Sequence, residues 1–306
     1  METIHGYELL GEWKNSNSGK IAKGVKDGKT YFIKKYLSPV KPIDNGAMSA
    51  KTVERNERIF NQFVALRTRL NNALRPVACE GSNIVIPTEE FIEGNHYIEV
   101  SEAIEGVVPY DEWENVLASL SPDVKKLLML TAAGGVGVIH AQQIIHGDLK
   151  FENVLLTRNP RSGNYVAKII DFDCACFTED IPDESIGDIR YLSPELAEYL
   201  TEEEDREPLR AKITTKTDIF SLGIIFHRYL AGEFPQGKNL SKALQRRKES
   251  GRPIYCWAVL LSGGALEISD TITDSNMRRL LAAMLDINPE KRPTAVEVLR
   301  CLKAWR

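Results

Sequence analysis

One octapeptide, His146-Gly-Asp-Leu-Lys-Phe-Glu-Asn153, constrains this chain more than any other stretch. It sets an acid, a cation and an amide in one short loop. Apolar residues from Leu127 to Ile145 lead into it, and a strand-like run, Val154-Leu-Leu156, follows at once. A second pair of acids, Asp171-Phe-Asp173, closes another apolar run, Val166 to Ile170, eighteen residues after Asn153. A fold that fits must deliver helix, charged loop, strand, hairpin return and acid in that order.

That order suits phosphoryl transfer. One carboxylate orients an attacking hydroxyl, a lysine offsets charge on the moving phosphoryl group, and an amide with a second carboxylate holds a divalent cation. Asp148, Lys150, Asn153 and Asp171 would take those roles. The loop and the Asp-Phe-Asp motif resemble those of the eukaryotic-type protein kinases, Ser/Thr type. Later segments extend the resemblance. Gly187 to Glu195 resembles the end of that family's activation segment. Thr214 to Gly223 resembles the start of its central large-lobe helix, with Asp218 bracing the catalytic loop. Asn288-Pro-Glu-Lys-Arg-Pro293 resembles its closing motif, whose Arg292 pairs with Glu195. The resemblance spans residues 5–304. It implies an α+β, bilobal fold in a single domain, residues 1–306. A small β-rich N-lobe with one helix would take residues 1–101, a hinge 102–106, and a larger, mainly helical C-lobe 107–306. It also implies ATP with Mg2+ (or Mn2+) as cofactors and a protein as substrate.

Residues 5–36 read as three short strands, Tyr7 to Leu10, Lys20 to Val25 and Thr30 to Tyr36, the last two joined at an Asp27-Gly28 turn. By the resemblance, the loop Lys14-Asn-Ser-Asn-Ser-Gly19 stands where kinases place a glycine-rich phosphate cover. Gly19 takes the last glycine position and Ile21 the following β-branched one, while Lys14 and Ser16 occupy the first two glycine positions. A plain hairpin loop is the competing reading. The family pattern makes Lys34, and not Lys35, the lysine that holds the α- and β-phosphates. Residues 47–74 contain no proline and place Val53, Phe60, Phe63, Leu66 and Leu70 near helical spacing. The resemblance implies that a glutamate of this helix pairs with Lys34; Glu57 is the expected residue and Glu54 the alternative. Ile84-Val-Ile86 and Tyr97 to Val100 read as the next strands. Beyond them, Ser101 would guard the space behind the adenine, and Glu102 and Ile104 would offer it backbone hydrogen bonds.

In the larger part, Leu127 to Gln142 reads as a helix whose Gly134, Gly135 and Gly137 suggest close packing. His140 and His146 lack partners at metal-ligand spacing and read as packing residues. Three positions depart from the family pattern. Gly147 replaces the arginine that receives an activation-loop phosphate, so activity is expected without phosphorylation of Thr178 or Ser185. Asp173 replaces a glycine, whose backbone freedom aspartate lacks. Asp188 replaces a threonine. The first two departures also fit the aminoglycoside and choline phosphotransferases, whose loops read HGDxxxxN, so a small-molecule kinase is a rival. A nucleotide-binding pseudokinase scaffold is another. Lys150 and the series Glu195, Asp218 and Arg292 favour the protein kinase.

Composition sets the remaining bounds. A net charge of -4 gives no electrostatic case for nucleic acid or for an anionic membrane. The five cysteines are odd in number and form no CxxC pair, which fits a reducing cytoplasm. Cys174 and Cys176 read as buried packing residues. No signal peptide is evident, and no apolar run reaches the roughly 18 residues of a membrane span. The charged runs Thr201 to Glu207 and Gln245 to Arg252 read as a solvated loop and a solvated helix face.

Overall fold

A computed structural model describes residues 2–16, 18–43, 48–78, 82–159, 162–183 and 187–305. The chain packs as two units, Met1–Cys79 with Val85–Glu105, and Glu80–Ile84 with Gly106–Arg306. The first is β-rich with one long helix and the second mainly helical, as the sequence implies.

In the first unit the strands are β1 (Thr3–Ile4), β2 (Tyr7–Leu9), β3 (Lys14–Asn15), β4 (Gly19–Lys26) and β5 (Lys29–Tyr36). Helix α1 (Ala50–Leu74) follows, then β6 (Glu89–Glu93) and β7 (His96–Glu102). The strand order is β1-β2-β4-β5-β7-β6, with β3 also on β4. Asp27 and Gly28 both take left-handed φ values, 51° and 73°, which matches hairpin twist to strand twist between β4 and β5. Alternation along the strands makes two faces. Ala22, Ile33, Ile98 and Val100 turn to one, where Ile4, Tyr7 and Leu9 pack on them. Tyr36 and Tyr97 turn to the other and meet Phe60, Phe63 and Val64 of α1. Ser49 caps α1 by accepting the Thr52 N–H, a contact worth about 1 kcal/mol.

The strand expected at Ile84 to Ile86 is not a member of this sheet. Ile84 makes only an isolated bridge to Ile169, in the second unit. The strand lies a little later, at β6, turned back at Gly94 (φ 61°) onto β7. Its three glutamates disguise it, yet charge is what an edge strand tolerates.

The second unit begins with α2 (Trp113–Ser119) and α3 (Pro122–Ala141). Ser121 caps α3, and Pro122 fills the position where a missing N–H costs nothing. Hairpin β9 (Val154–Arg158) and β10 (Tyr165–Ile169) packs on α3, and short strands β8 (Ile144–Ile145) and β11 (Cys176–Phe177) pair antiparallel. Helices α4 (Pro194–Thr201), α5 (Glu207–Arg210) and α6 (Lys216–Ala231) follow. A hairpin of β12 (Gln236–Lys238) and β13 (Ala265–Glu267) encloses α7 (Lys242–Glu249) and α8 (Cys256–Leu261). Last come α9 (Ser275–Met284) and α10 (Ala295–Ala304). Gly135 is needed on α3, because a Cβ there would stand 2.9 Å from Ile169 Cδ1 and 3.1 Å from the Asn83 carbonyl oxygen. Contrary to the sequence expectation, α3 is apolar enough over its 20 residues to cross a bilayer by length and composition. Within this fold Leu128, Met129, Ala132, Ala133, Val136 and Ile139 are buried in the protein, so its apolar character serves the core.

Candidate active site

The loop after β8 is shaped from beneath by one buried carboxylate. Asp218, at the start of α6, accepts the backbone N–H of His146 at 2.8 Å and that of Gly147 at 3.0 Å, and His140 Nε2 lies 2.9 Å from it. Burial opposes its ionisation, but the His140 hydrogen bond, the nearby imidazoles and the loop N–H hold its carboxyl below the usual range. His146 reaches the Ile170 carbonyl through Nε2 at 3.0 Å. Both histidines therefore act in packing, as the sequence reading expects.

Above this base sits Asp148. Its Oδ2 accepts from Lys150 Nζ at 2.6 Å and from Asn153 Nδ2 at 2.9 Å, and its Oδ1 accepts the Asp188 N–H at 2.7 Å. Burial disfavours the charged Lys150, yet the hydrogen bond and charge of Asp148, with Asp188 and Glu152 beyond, raise its pKa above the ordinary lysine value. Asn153 Nδ2 also donates to the Asp148 carbonyl, so its Oδ1 is the atom available to a cation. Asp171 is exposed and held in a left-handed conformation, φ 63°. The preceding residue fixes its place: Ile170 N–H donates to the Asn153 carbonyl at 2.9 Å. The second unit thus brings Asp148, Lys150 and Asn153 together and anchors the backbone before Asp171 to Asn153. An amide and a carboxylate oxygen suit Mg2+, which commonly takes one or two protein carboxylates and completes its shell with substrate phosphates and water.

Three further residues complete this group, and only Asp188 was singled out from sequence. Arg190 donates to Asp188 through Nε at 2.9 Å and Nη2 at 2.6 Å, and reaches Glu152 Oε1 through Nη2 at 3.1 Å. The Asp188 carboxyl is raised by burial but lowered more by Arg190, and ends below its usual range. The spacing Asp188-Ile-Arg190 was the available signal, since a two-residue step folds the guanidinium back on its own acid.

In the first unit, Ile21, Lys34, Glu99 and Glu90 stand directly opposite one another on four successive strands. Lys34 shares its face with Ile21, and with Phe32 and Ser101, themselves an opposed pair. Lys35 turns to the other face, its Nζ 6.0 Å from the Trp13 ring centroid. Lys34 and Lys35 thus stand on opposite faces of the sheet. Gly19 has a plain reason in the sheet, because any Cβ there would run into the Lys35 carbonyl. Before it, Lys14 and Asn15 pair with Ile21 and Lys20, and Ser16 N–H donates to the Gly19 carbonyl at 2.8 Å. Ala103 N–H donates to Thr30 of β5, so by alternation the backbone groups of Glu102, the last residue of β7, face the other edge, beyond where β6 ends.

The expected pairing of Lys34 with a helix glutamate does not form. Glu54 and Glu57 are the only acids of α1, and both are exposed. The fully buried face of α1 starts at Phe60, one turn too late to bring Glu57 under the sheet. Two sheet carboxylates, Glu99 and Glu90, lie on the Lys34 face, and Glu99 is the one directly opposite it. It accepts from Arg67 Nε and Nη2, both at 2.9 Å, and from the Tyr36 hydroxyl at 2.9 Å.

Comparison with known proteins agrees with this geometry. The protein kinase domain family matches residues 47–302. The chain belongs to that family. Among its curated relatives, this kinase is similar to serine/threonine-protein kinase pkn2 of Myxococcus xanthus, with 31% identity over 67% of the chain and 23% of the relative. It also resembles a calcium and calcium/calmodulin-dependent serine/threonine-protein kinase of Lotus japonicus, with 27% identity over 72% of the chain and 36% of the relative. The mouse dual specificity protein kinase TTK shows 23% identity over 63% and 21%. The chain thus spans between a fifth and about a third of these relatives' lengths. The family match starts after Lys34, so the roles of Gly19, Ile21 and Lys34 rest on sheet geometry and motif order.

The departures now have physical reasons. Gly147 has φ 75°, and a Cβ there would lie 2.6 Å from the Cys174 carbonyl oxygen. Gly187 in turn is pressed against the Gly147 carbonyl. Three chain segments cross at Gly147, and an arginine cannot enter. Asp173 is half-buried, and the left-handed turn of this motif falls on Asp171, so position 173 needs no glycine. Burial first, then the charges of Asp148 and Asp173, push the Cys174 thiol up to about 12, and burial does the same for Cys176. Both thiols are inert at neutral pH. The buried pair Glu195–Arg292 forms as expected, with two contacts of 2.7 Å, and the Thr217 hydroxyl adds a third donor at 3.0 Å. Helix α7 buries no residue, in line with a solvated basic face.

Proposed function

We propose that this chain transfers the γ-phosphoryl group of ATP to a Ser or Thr hydroxyl of a protein. The observation that carries the reading is the Asp148 carboxylate, fixed on one oxygen by Lys150 and Asn153 and on the other by the Asp188 N–H. Such a carboxylate is preorganised to align an acceptor hydroxyl for in-line attack, and Lys150 lies beside it to offset charge on the transferred group. Asn153 and Asp171 would hold Mg2+, which neutralises phosphate charge when bound. Lys34 would hold the α- and β-phosphates, with the adenine against the backbone of Glu102 and Ile104 and with Gly19 and Ile21 nearby. Lysine two residues after the catalytic acid supports Ser/Thr acceptors.

We also propose that activity does not depend on activation-segment phosphorylation. The tether from Asp188 to Asp148 is made by unphosphorylated groups, and Gly147 cannot supply a phosphate receptor. Thr178 is half-buried, its N–H donated to the Gln143 carbonyl; Ser185 lies outside the described residues. The four described cysteines are free, which supports a reducing, cytoplasmic setting.

Purified protein incubated with γ-labelled ATP, Mg2+ and generic acceptors tests the function. Label on Ser or Thr of protein is expected. Label on an aminoglycoside or choline, or nucleotide binding without turnover, would overturn the reading.

A further inference from the structure

Around the catalytic loop of the second unit, the acids Asp148, Asp188 and Glu152 share the cations Lys150 and Arg190. Lys150 Nζ stands 2.6 Å from Asp148 Oδ2. Asp188 is close enough that its charge acts on Lys150 as well. The side chains of Lys150, Asp148 and Asp188 are only 12%, 13% and 16% exposed, so water does little to screen them. An ammonium group is a compact point charge on a flexible stem and has no fixed preference between two such carboxylates. Its choice of Asp148 therefore depends on how Asp188 is occupied.

Arg190 occupies it. The Tyr191 N–H donates to the Asp188 carbonyl at 2.9 Å, and within the turn this closes the Arg190 N–H reaches Asp188 Oδ1 at 2.9 Å. The guanidinium then covers both carboxylate oxygens, with Nε 2.9 Å from Oδ1 and 3.2 Å from Oδ2, and Nη2 2.6 Å from Oδ2. A planar guanidinium suits such two-oxygen contact. Nη2 also holds Glu152 Oε1 at 3.1 Å, and Glu152 belongs to the same loop as Asp148 and Lys150. The strap thus begins and ends on that loop, running from Asp148 Oδ1 through the Asp188 N–H and carboxylate to Arg190 and Glu152. We infer that Arg190 is a positioning residue for phosphoryl transfer: it neutralises Asp188 and so reserves Lys150 for Asp148 and the transferred group. This rests on the reading of the chain as a kinase acting through Asp148 and Lys150. The site uses the backbone N–H of Asp188, and the carboxylate that comes with it is a competitor that Arg190 offsets. Without the guanidinium, Asp188 draws Lys150 away from Asp148, and the loss falls on turnover while nucleotide binding stays.

The test is a double-mutant cycle on the full chain, read by initial rates on a generic protein acceptor and by titration with ATP and Mg2+. Arg190→Met should lower kcat on the order of tenfold, within the range of coupled charged neighbours, and leave ATP affinity unchanged. Adding Asp188→Asn should restore most of that loss, since the competing charge is gone while the N–H to Asp148 remains. A merely structural role gives the opposite pattern, in which the second substitution weakens the site further. Additive losses would overturn the inference, as would a loss that appears as weaker ATP binding. If Arg190→Met does not fold, as judged by its thermal transition, Arg190→Lys is read in the same cycle. It keeps a charge without the two-oxygen contact, and its smaller loss should again be relieved by Asp188→Asn. A wild type that transfers no phosphoryl group to protein removes the proposed function and this inference with it. Wild-type transfer with an unaltered kcat in Arg190→Met leaves the function standing and rejects the role of Arg190.

Discussion

Placing an arginine at Gly147, the residue that phosphate-regulated kinases carry there, should disable this protein and should not make it phosphate-dependent. The cost can be worked from the geometry. A left-handed backbone costs a residue with a Cβ about 1–2 kcal/mol, and Gly147 has φ 75°. A Cβ placed 2.6 Å from the Cys174 carbonyl oxygen must push a main-chain atom and not a flexible side chain. Overpacking of that kind adds about 1–3 kcal/mol. Gly147→Arg should therefore lose about 2–5 kcal/mol, a large part of the roughly 5–15 kcal/mol typical of a folded domain. Asp148 is the next residue, so movement of the loop also displaces the acid, and a misplacement of about 1 Å can cost about 10²-fold in rate. Gly134→Ala is the control. No atom lies within 4 Å of its Cβ position on α3; this change should stabilise by about 0.4–1 kcal/mol. Urea titration and initial rates on a generic acceptor, before and after phosphatase treatment, give both quantities. Gly147→Arg with wild-type stability and rate, or one that gains activity on phosphorylation, would refute the reasoning.

Asp148→Ala should slow phosphoryl transfer by about 10²–10⁴-fold with ATP affinity nearly unchanged, whereas Asp171→Ala should abolish Mg2+-dependent binding in the same titration. Arg292→Met should cost about 3–5 kcal/mol in denaturant unfolding, because Glu195 would be left buried without its partner, and adding Glu195→Leu should restore most of it. The Asp188 carboxyl has a folded pKa below its unfolded value, so its stabilisation is complete above the ordinary carboxylate range and fades as pH falls through the depressed value. The stability gap between wild type and Asp188→Asn should accordingly stay constant above about pH 5 and close only in stronger acid; a gap independent of pH would disprove the tether. Ser101 is small and shares the Lys34 face, so ATP analogues with a bulky N6 group should bind the wild type, and Ser101→Phe should exclude them while still binding ATP.

How far could the chain be read without coordinates? The loop from His146 to Asn153, the acid at Asp171, the brace at Asp218 and the pair Glu195–Arg292 were all legible, because each role demands a particular residue type at a fixed place in the order. The Asp27-Gly28 turn was legible for a similar reason, and so was the placing of Lys34 and Lys35 on opposite faces, since a strand alternates faces strictly. Alternation failed at β6, where an edge strand carries glutamates and looks like a loop. Helical periodicity placed Glu57 in line with Phe60 but said nothing about where the sheet ends, and burial starts one turn later.

What the sequence determined by itself was local: which residues could do chemistry, which turns they required, and where glycine was obligatory for torsion. Only the tertiary structure decided what lay across from each. It set Glu99 opposite Lys34, brought Arg67 from α1 onto that acid, and packed Cys174 and Gly187 against Gly147 from distant parts of the chain. Those outcomes depend on strand register and on close approach of backbones, and register is fixed by the whole sheet while close approach is fixed by everything packed around it.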